Sequence, residues 1–322
     1  MPVRARPLAP PARLLSPVFA RFRPLSPHGM HRANTSGMPD CTSADSRFAA
    51  PAAAWQASLR LDFALDGGAT RLVRRAHAGP LRVQKALYPE GPRACQVIVV
   101  HPPGGVAGGD ALDIGLRLGA GTQVLATTPG AGKWYRAGSR PGTQLSRQAV
   151  RLHAGGGAVL EWLPQDTIFY DGARVLLEHE VELERDAVYI GSEILCFGRR
   201  AMGEGFGRGE VRQRTRIRQA GRLVWHEQGR MDGAGLASML GLQGNSVCAT
   251  LLAVGKPLPA AVQASLRAGV PGLALSQVKS VFVARYLGMD AEAARAAMLR
   301  VWQAVRPHLL GVEARVPRIW NT

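Results

Sequence analysis

From Trp55 onward, apolar and polar residues alternate in short stretches. Ser58-Leu59-Arg60-Leu61-Asp62-Phe63 alternates until Gly67-Gly68 ends the pattern, and Leu112–Leu118 alternates cleanly. This period of two puts one face of a strand in a core and the other in water. Gln96–Val100, Gln123–Thr127, Leu145–Leu152, Ala158–Leu163, Arg174–Leu183, Val188–Phe197, Val211–Arg218 and Arg222–His226 read as further strands. Gly, Pro or Asp clusters separate most of them. Many short strands with Gly-rich turns predict an all-β body. No helical pattern of roughly 10–15 residues separates them, which disfavours a parallel sheet with crossover helices.

Helical spacing appears late. Pro259–Arg267 predicts one short helix. A second begins at Asp290, a fitting N-cap, and carries Ala294, Met298, Val301, Trp302 and Val305 on one face. Pro307 is expected to stop or kink it. Ser280–Leu287 reads as a strand between the two. The expected fold is all-β dominated, with two short helices near the C-terminus.

Residues 1–47 lack periodicity. They hold seven arginines against Asp40 and Asp45, with much Pro, Ser and Ala. A disordered extension fits this composition, as does a start assigned too far upstream of Met30 or Met38. Leu14–Ala20, broken by Pro17, is a poor signal-peptide core. Residues 48–322 read as a single domain.

The chain of 322 residues carries a formal charge of +17 and is 46% hydrophobic, and no apolar run approaches the ~20 residues of a membrane helix. Charge alone permits nucleic acid, an anionic membrane or an acidic partner. No zinc-finger or RNA-recognition signature turns it into a nucleic-acid argument. Cys41, Cys95, Cys196 and Cys248 are far apart and form no C-x-x-C pair. That argues against a disulfide framework and a zinc site, and for reduced thiols.

Three segments are dense in special residues. His101-Pro102-Pro103-Gly104-Gly105-Val106-Ala107-Gly108-Gly109-Asp110 imposes a tight backbone path. A strand pattern follows it, so no helix N-terminus is available to hold phosphate. His101 reads as structural rather than as a ligand. Thr127–Arg136 (TTPGAGKWYR) resembles the end of a nucleotide-binding loop, but Trp134 stands where a magnesium-binding hydroxyl belongs. Lys133, Trp134, Tyr135 and Arg136 fit a protein interface better. The third runs from Glu161 to Gly172. Asp166 and Asp171 there raise glycoside hydrolysis as a rival, which needs a carboxyl pair at a set distance; turn residues are the plainer reading. Glu178, Glu180, Glu182 and Glu184 alternate along one strand face, with His179 on the other. No Ser-His-Asp or Cys-His arrangement is supported, and the chain reads as a non-enzyme.

In this order, HPPGGVAGGD (101–110), TTPGAGKWYR (127–136), EWLPQD (161–166), ILCFGR (194–199) and the ending PRIWNT (317–322) resemble the urease accessory protein UreD family. The likeness covers about residues 54 to 322. It implies an elongated, β-helix-like body in the cytoplasm, with UreF, the GTPase UreG and apo-urease as partners. It implies no tightly bound cofactor; nickel would pass transiently through the interior. The family's passage-lining acids fall on Asp110, Glu193 and Glu227. Dispersed carboxylates suit such a path, because imidazole and thiolate hold nickel tightly whereas a conduit must also release it. The alternative is a purely structural adaptor that opens urease without carrying nickel.

Overall fold

The computed structural model describes residues 54–138 and 145–321. The expectations for residues 1–47, Cys41 included, lie outside this range. The described chain opens with a hairpin of β1 (Gln56–Asp66) and β2 (Ala69–Ala78). Gly67 and Gly68 make its turn, both at positive φ. A two-residue β3 (Arg82–Val83) precedes β4 (Ala94–Val100), β5 (Ala111–Leu118), β6 (Gln123–Thr127) and a short β7 (Gly132–Trp134). Next come β8 (Ser146–Ala154), β9 (Val159–Leu163), a short β10 (Thr167–Phe169), β11 (Arg174–Leu183) and β12 (Val188–Phe197). A second hairpin, β13 (Glu210–Gln219) and β14 (Arg222–Met231), leads to the five-residue α1 (Gly233–Ala237). The chain continues through β15 (Val247–Val254), α2 (Ala260–Gly269), β16 (Leu273–Val278), β17 (Val281–Gly288) and α3 (Ala291–Leu310).

The strands form two sheets. One runs β14-β13-β11-β8-β5-β1-β2; the other runs β16-β17-β15-β12-β9-β6-β4-β3, with β10 beside β12 and β7. The strand-dominated expectation holds. In the first sheet β1, β5, β8, β11 and β13 are mutually parallel neighbours, and in the second β4, β6, β9 and β12 are. Parallel neighbours need a long crossover. Here the crossover is a strand of the opposite sheet, so no helix intervenes. Inward apolar side chains such as Leu59, Leu61, Leu152, Leu160, Ile217 and Leu251 are fully buried.

The outer face of the first sheet absorbs much of the basic charge. Glu178, Glu180 and Glu182 on β11 stand opposite Arg214, Arg216 and Arg218 on parallel β13 and pair with them. From β8, Arg147 reaches Glu178 at 2.7 Å, and Arg151 reaches Asp113 of β5 at 2.7 Å. The alternating glutamates are therefore a solvated, arginine-matched face, where each pair contributes at most about 1 kcal/mol.

The helices correct two expectations. Asp290 caps α3 by accepting the Glu292 N–H at 2.9 Å, but the helix has 20 residues and is not short. Nor does Pro307 end it: the helix continues to Leu310 and closes at Gly311, whose φ is 72°. Packing overrides the proline, since Ala294, Ala297, Met298, Val301, Trp302 and Val305 are all buried against the second sheet. Glu161 of β9 sits under this helix. It accepts the Trp302 indole N–H at 2.6 Å and the Arg306 Nε at 3.0 Å. Arg306 also meets Glu90 at 2.8 Å. Burial pushes the Glu161 carboxyl up, and Arg306 opposes that shift. The chain's end docks beside them, with the Trp320 indole donating to the Thr127 hydroxyl at 2.8 Å.

Candidate functional site

Parallel register brings polar residues of distant sequence into facing rows. On the inner face of the first sheet, His179, Thr215 and Glu227 are successive cross-strand partners. On the inner face of the second, Glu193, Thr250 and Arg285 are partners in the same way. All of these but Arg285 line a cavity of about 120 Å³ between the sheets, together with Gln213, Tyr189 and Asp166.

Three contacts join the sheets here. Arg285 Nη2 lies 2.7 Å from Glu227 Oε1. The Gln213 side-chain amide donates to Glu193. A His179 ring nitrogen and the Tyr189 hydroxyl are 2.9 Å apart. Burial holds the His179 imidazole down at about 4, so it is neutral at physiological pH. Burial also raises the Tyr189 hydroxyl. Glu193 is pushed up to about 7, first by burial and then by the Glu227 charge, against the pull of Gln213 and Arg285. At neutral pH it is therefore poised between its acid and its anion.

This arrangement offers carboxylate oxygens and amide or hydroxyl oxygens, with one guanidinium as resident countercharge. That chemistry suits a divalent cation held through oxygen. It does not suit nucleophilic catalysis, because His179 faces a tyrosine rather than a serine or a thiolate. Burial raises the thiols of Cys95, Cys196 and Cys248, Cys196 to about 12, so all three are protonated at neutral pH. Among the described residues, no three of His, Cys, Asp and Glu gather as a group able to hold a metal.

Of the three acids named from sequence, Glu193 and Glu227 meet at this cavity. Asp110 does not line it. Its two carboxylate oxygens accept the Trp55 N–H at 2.8 Å and the Ala107 N–H at 2.9 Å, which ties the glycine loop to the start of β1. His101 lies near it, its pKa lowered by burial and partly restored by Asp110. Gly104 and Gly109 adopt positive φ, while Gly108 does not need to. Gly105 leaves room for a neighbour: a Cβ there would run into the Tyr135 ring and force that exposed side chain to shift.

The interface expectation for the second motif needs one correction. Trp134 is only 2% exposed and lines the cavity wall, where β7 pairs it with the buried Phe169 of β10. Lys133 and Tyr135 remain at the surface. Tyr135 packs edge-on to Tyr170 at 4.9 Å, and Arg199 lies over Tyr170 at 4.3 Å.

Arg285, Gln213, Thr250 and Tyr189 were missed from sequence. A signal did exist for Arg285, a lone charge inside the apolar run Val281–Leu287. A charge in a buried strand needs a partner.

Comparison with known proteins agrees with the family resemblance. A family model described as UreD urease accessory protein matches residues 56–321. The chain belongs to the UreD family. It is 54% identical over 275 residues to a urease accessory protein UreD of Janthinobacterium sp. (strain Marseille), covering 83% of this chain and 92% of that relative. A UreD protein of Nitrosospira multiformis is 52% identical, with 83% of this chain and 98% of the relative covered. One of Azoarcus sp. is 49% identical over 83% of this chain and 94% of its own length. These relatives are named as accessory proteins rather than as enzymes. Among the described residues, no helix is long and apolar enough to cross a membrane.

Proposed function

We propose that this UreD-family chain is a non-catalytic cytoplasmic scaffold for urease maturation. In this reading it acts with UreF and the GTPase UreG on apo-urease, and its inter-sheet cavity passes nickel. The observation that carries the reading is the meeting of Glu193 and Glu227 across the sheets, with Arg285 as their countercharge. An arriving divalent cation draws the proton from Glu193 and competes with Arg285 for Glu227. Affinity is thereby kept moderate, and a conduit needs sites that can be left as well as entered. Nickel is cargo here, not a resident cofactor. Asp110, with both oxygens engaged by backbone N–H groups, serves in this reading as the anchor of the glycine loop. The alternation of parallel strands between two sheets supports a β-helix-like body around the cavity.

A purely structural adaptor is the second reading. The exposed apolar side chains Met202, Met239 and Leu240 favour it, as contact points for a partner. One experiment separates the two. Glu193→Gln and Glu227→Gln variants are produced with the other maturation proteins, and nickel per urease active site is measured alongside complex assembly. Passage predicts intact assembly with reduced nickel. Full nickel loading in both variants would leave only the adaptor.

A further inference from the structure

Asp166 belongs to the EWLPQD motif, yet neither the glutamate pair nor the countercharge uses it. It is only 3% exposed. Its Oδ2 meets Arg295 Nη2 of α3 at 2.6 Å. Its Oδ1 is buried without a hydrogen-bond partner, and so is the Arg295 Nε. A carboxylate oxygen buried with no donor is costly and calls for an explanation. Arg295 is shared, since Glu292 also holds it at 2.9 Å.

The position of the pair supplies the explanation. Asp166 lines the inter-sheet cavity, and it also lines a separate groove of about 200 Å³ beneath α3 and the C-terminal Trp320. Pro164, Gln165 and Ser192 border both spaces as well. The two volumes therefore lie on either side of this loop, with room on each side for several waters. The Asp166–Arg295 pair stands at that loop, and the pair's unsatisfied oxygen is a spare ligand.

We propose that Asp166 is a cation-binding residue at a portal between the inter-sheet cavity and the α3 groove, with Arg295 as its resting counter-ion and gate. The ligand class is a hydrated divalent cation, taken through a single carboxylate and water. This inference rests on the passage reading above. Arg295 projects from α3 while Asp166 sits in the loop before β10, so a small shift of the helix parts them. Glu292 then keeps the guanidinium at the helix surface.

The test places a reporter on the far side of the gate. Val150 is buried and lines the inter-sheet cavity but not the groove. In the full chain, a Val150→Cys thiol is labelled with a small cationic thiol reagent, with the parent cysteines as background. Opening a minor state to dominance raises the labelling rate by about tenfold or more. The expected result is that rise in Arg295→Met and near-parent labelling in Arg295→Lys, which keeps the charge. If Arg295→Met fails to fold, judged by its thermal melt, Asp166→Asn in the same background carries the labelling test. Asp166→Asn, close to isosteric, is also expected to lower the nickel reaching urease with assembly intact. Labelling that is equally fast with and without the gate, or parent-level nickel in Asp166→Asn, overturns the portal. The outcomes also separate the two claims. Full nickel loading in Glu193→Gln and Glu227→Gln removes the passage itself, whereas reduced loading there with normal loading in Asp166→Asn removes only the portal.

Discussion

Replacing Glu193 by Gln should make the protein more stable above neutral pH and, on the proposed passage reading, lower the nickel reaching urease. The Glu193 carboxyl is raised from its ordinary 4.5 to about 7, by burial and by the Glu227 charge. The folded state therefore holds a proton that the unfolded chain releases near pH 4.5. Below the unfolded value both states are protonated, and the group favours neither. As pH rises from 4.5 through 7, the unfolded state releases its proton first, so stability falls. Above pH 7 the buried anion costs about 3 kcal/mol relative to the unfolded chain. Gln keeps the side-chain length and can still accept the hydrogen bond from Gln213, but it never ionises. The variant should match the parent near pH 4.5 and exceed it by up to about 3 kcal/mol at pH 8. For a chain of this size that is roughly 6–12 °C in melting temperature. Thermal melts of both proteins at pH 5 and pH 8 measure it. A shift of equal size at both pH values, or none at pH 8, would refute the titration argument. Gain of stability with loss of nickel loading is the pattern expected where a site is kept strained for use.

Two further outcomes follow from the buried contacts. Arg306→Met should destabilise the fold by roughly 3–5 kcal/mol, because it leaves Glu161 uncompensated beneath α3, and adding Glu161→Gln should recover most of that in a denaturant titration. Asp110→Ala should cost about 0.5–1.5 kcal/mol by removing the hydrogen bonds to the Trp55 and Ala107 N–H groups, which water can partly replace; hydrogen exchange at those two amides should accelerate, while amides of β12 stay protected.

How much of this was legible follows from which forces are local. Gln123–Thr127, Arg174–Leu183 and Val188–Phe197 were read with their observed bounds, because each has apolar alternation or a continuous apolar run between turn residues. The strand Ala69–Ala78 was missed, since its arginines and histidine face solvent and leave no period of two. Val247–Val254 was missed for the opposite reason: it packs between two strands and against α3, and its apolar run has no alternation to read. Pro307 misled because a local rule was outweighed by a long buried helix face. At the candidate site, Glu193 and Glu227 were placed through the family resemblance, and their meeting was not foreseeable. It depends on the relative register of β12 and β14, two strands of different sheets. Arg285 on β17 and Gln213 on β13 enter the site through the same stacking of one sheet on the other. The Asp110 position was legible as a turn, but its use of both oxygens on backbone N–H groups was not.

Why this interior relies on carboxylates, although softer ligands lie close by, can be argued from the same geometry. His179 lines the same cavity as Glu193, and Cys248 lies close enough to feel its charge. Each is otherwise engaged in its resting state. The His179 ring is tied to the Tyr189 hydroxyl across the sheets. The Cys248 thiol is raised by burial and by the charge of Glu193, so a metal would first have to displace its proton. The glutamates stay available but are never left bare. Arg285 neutralises Glu227, and a proton neutralises Glu193 part of the time. A divalent cation entering must displace one and release the other, which weakens its net binding relative to two free carboxylates. The countercharge also offsets part of the cost of keeping two acids in an enclosed space while no cation is present. Replacing Arg285 by a neutral residue would therefore raise the cost of the empty state and tighten the hold on an entering cation together. A carrier tuned for release requires those two effects to remain in balance.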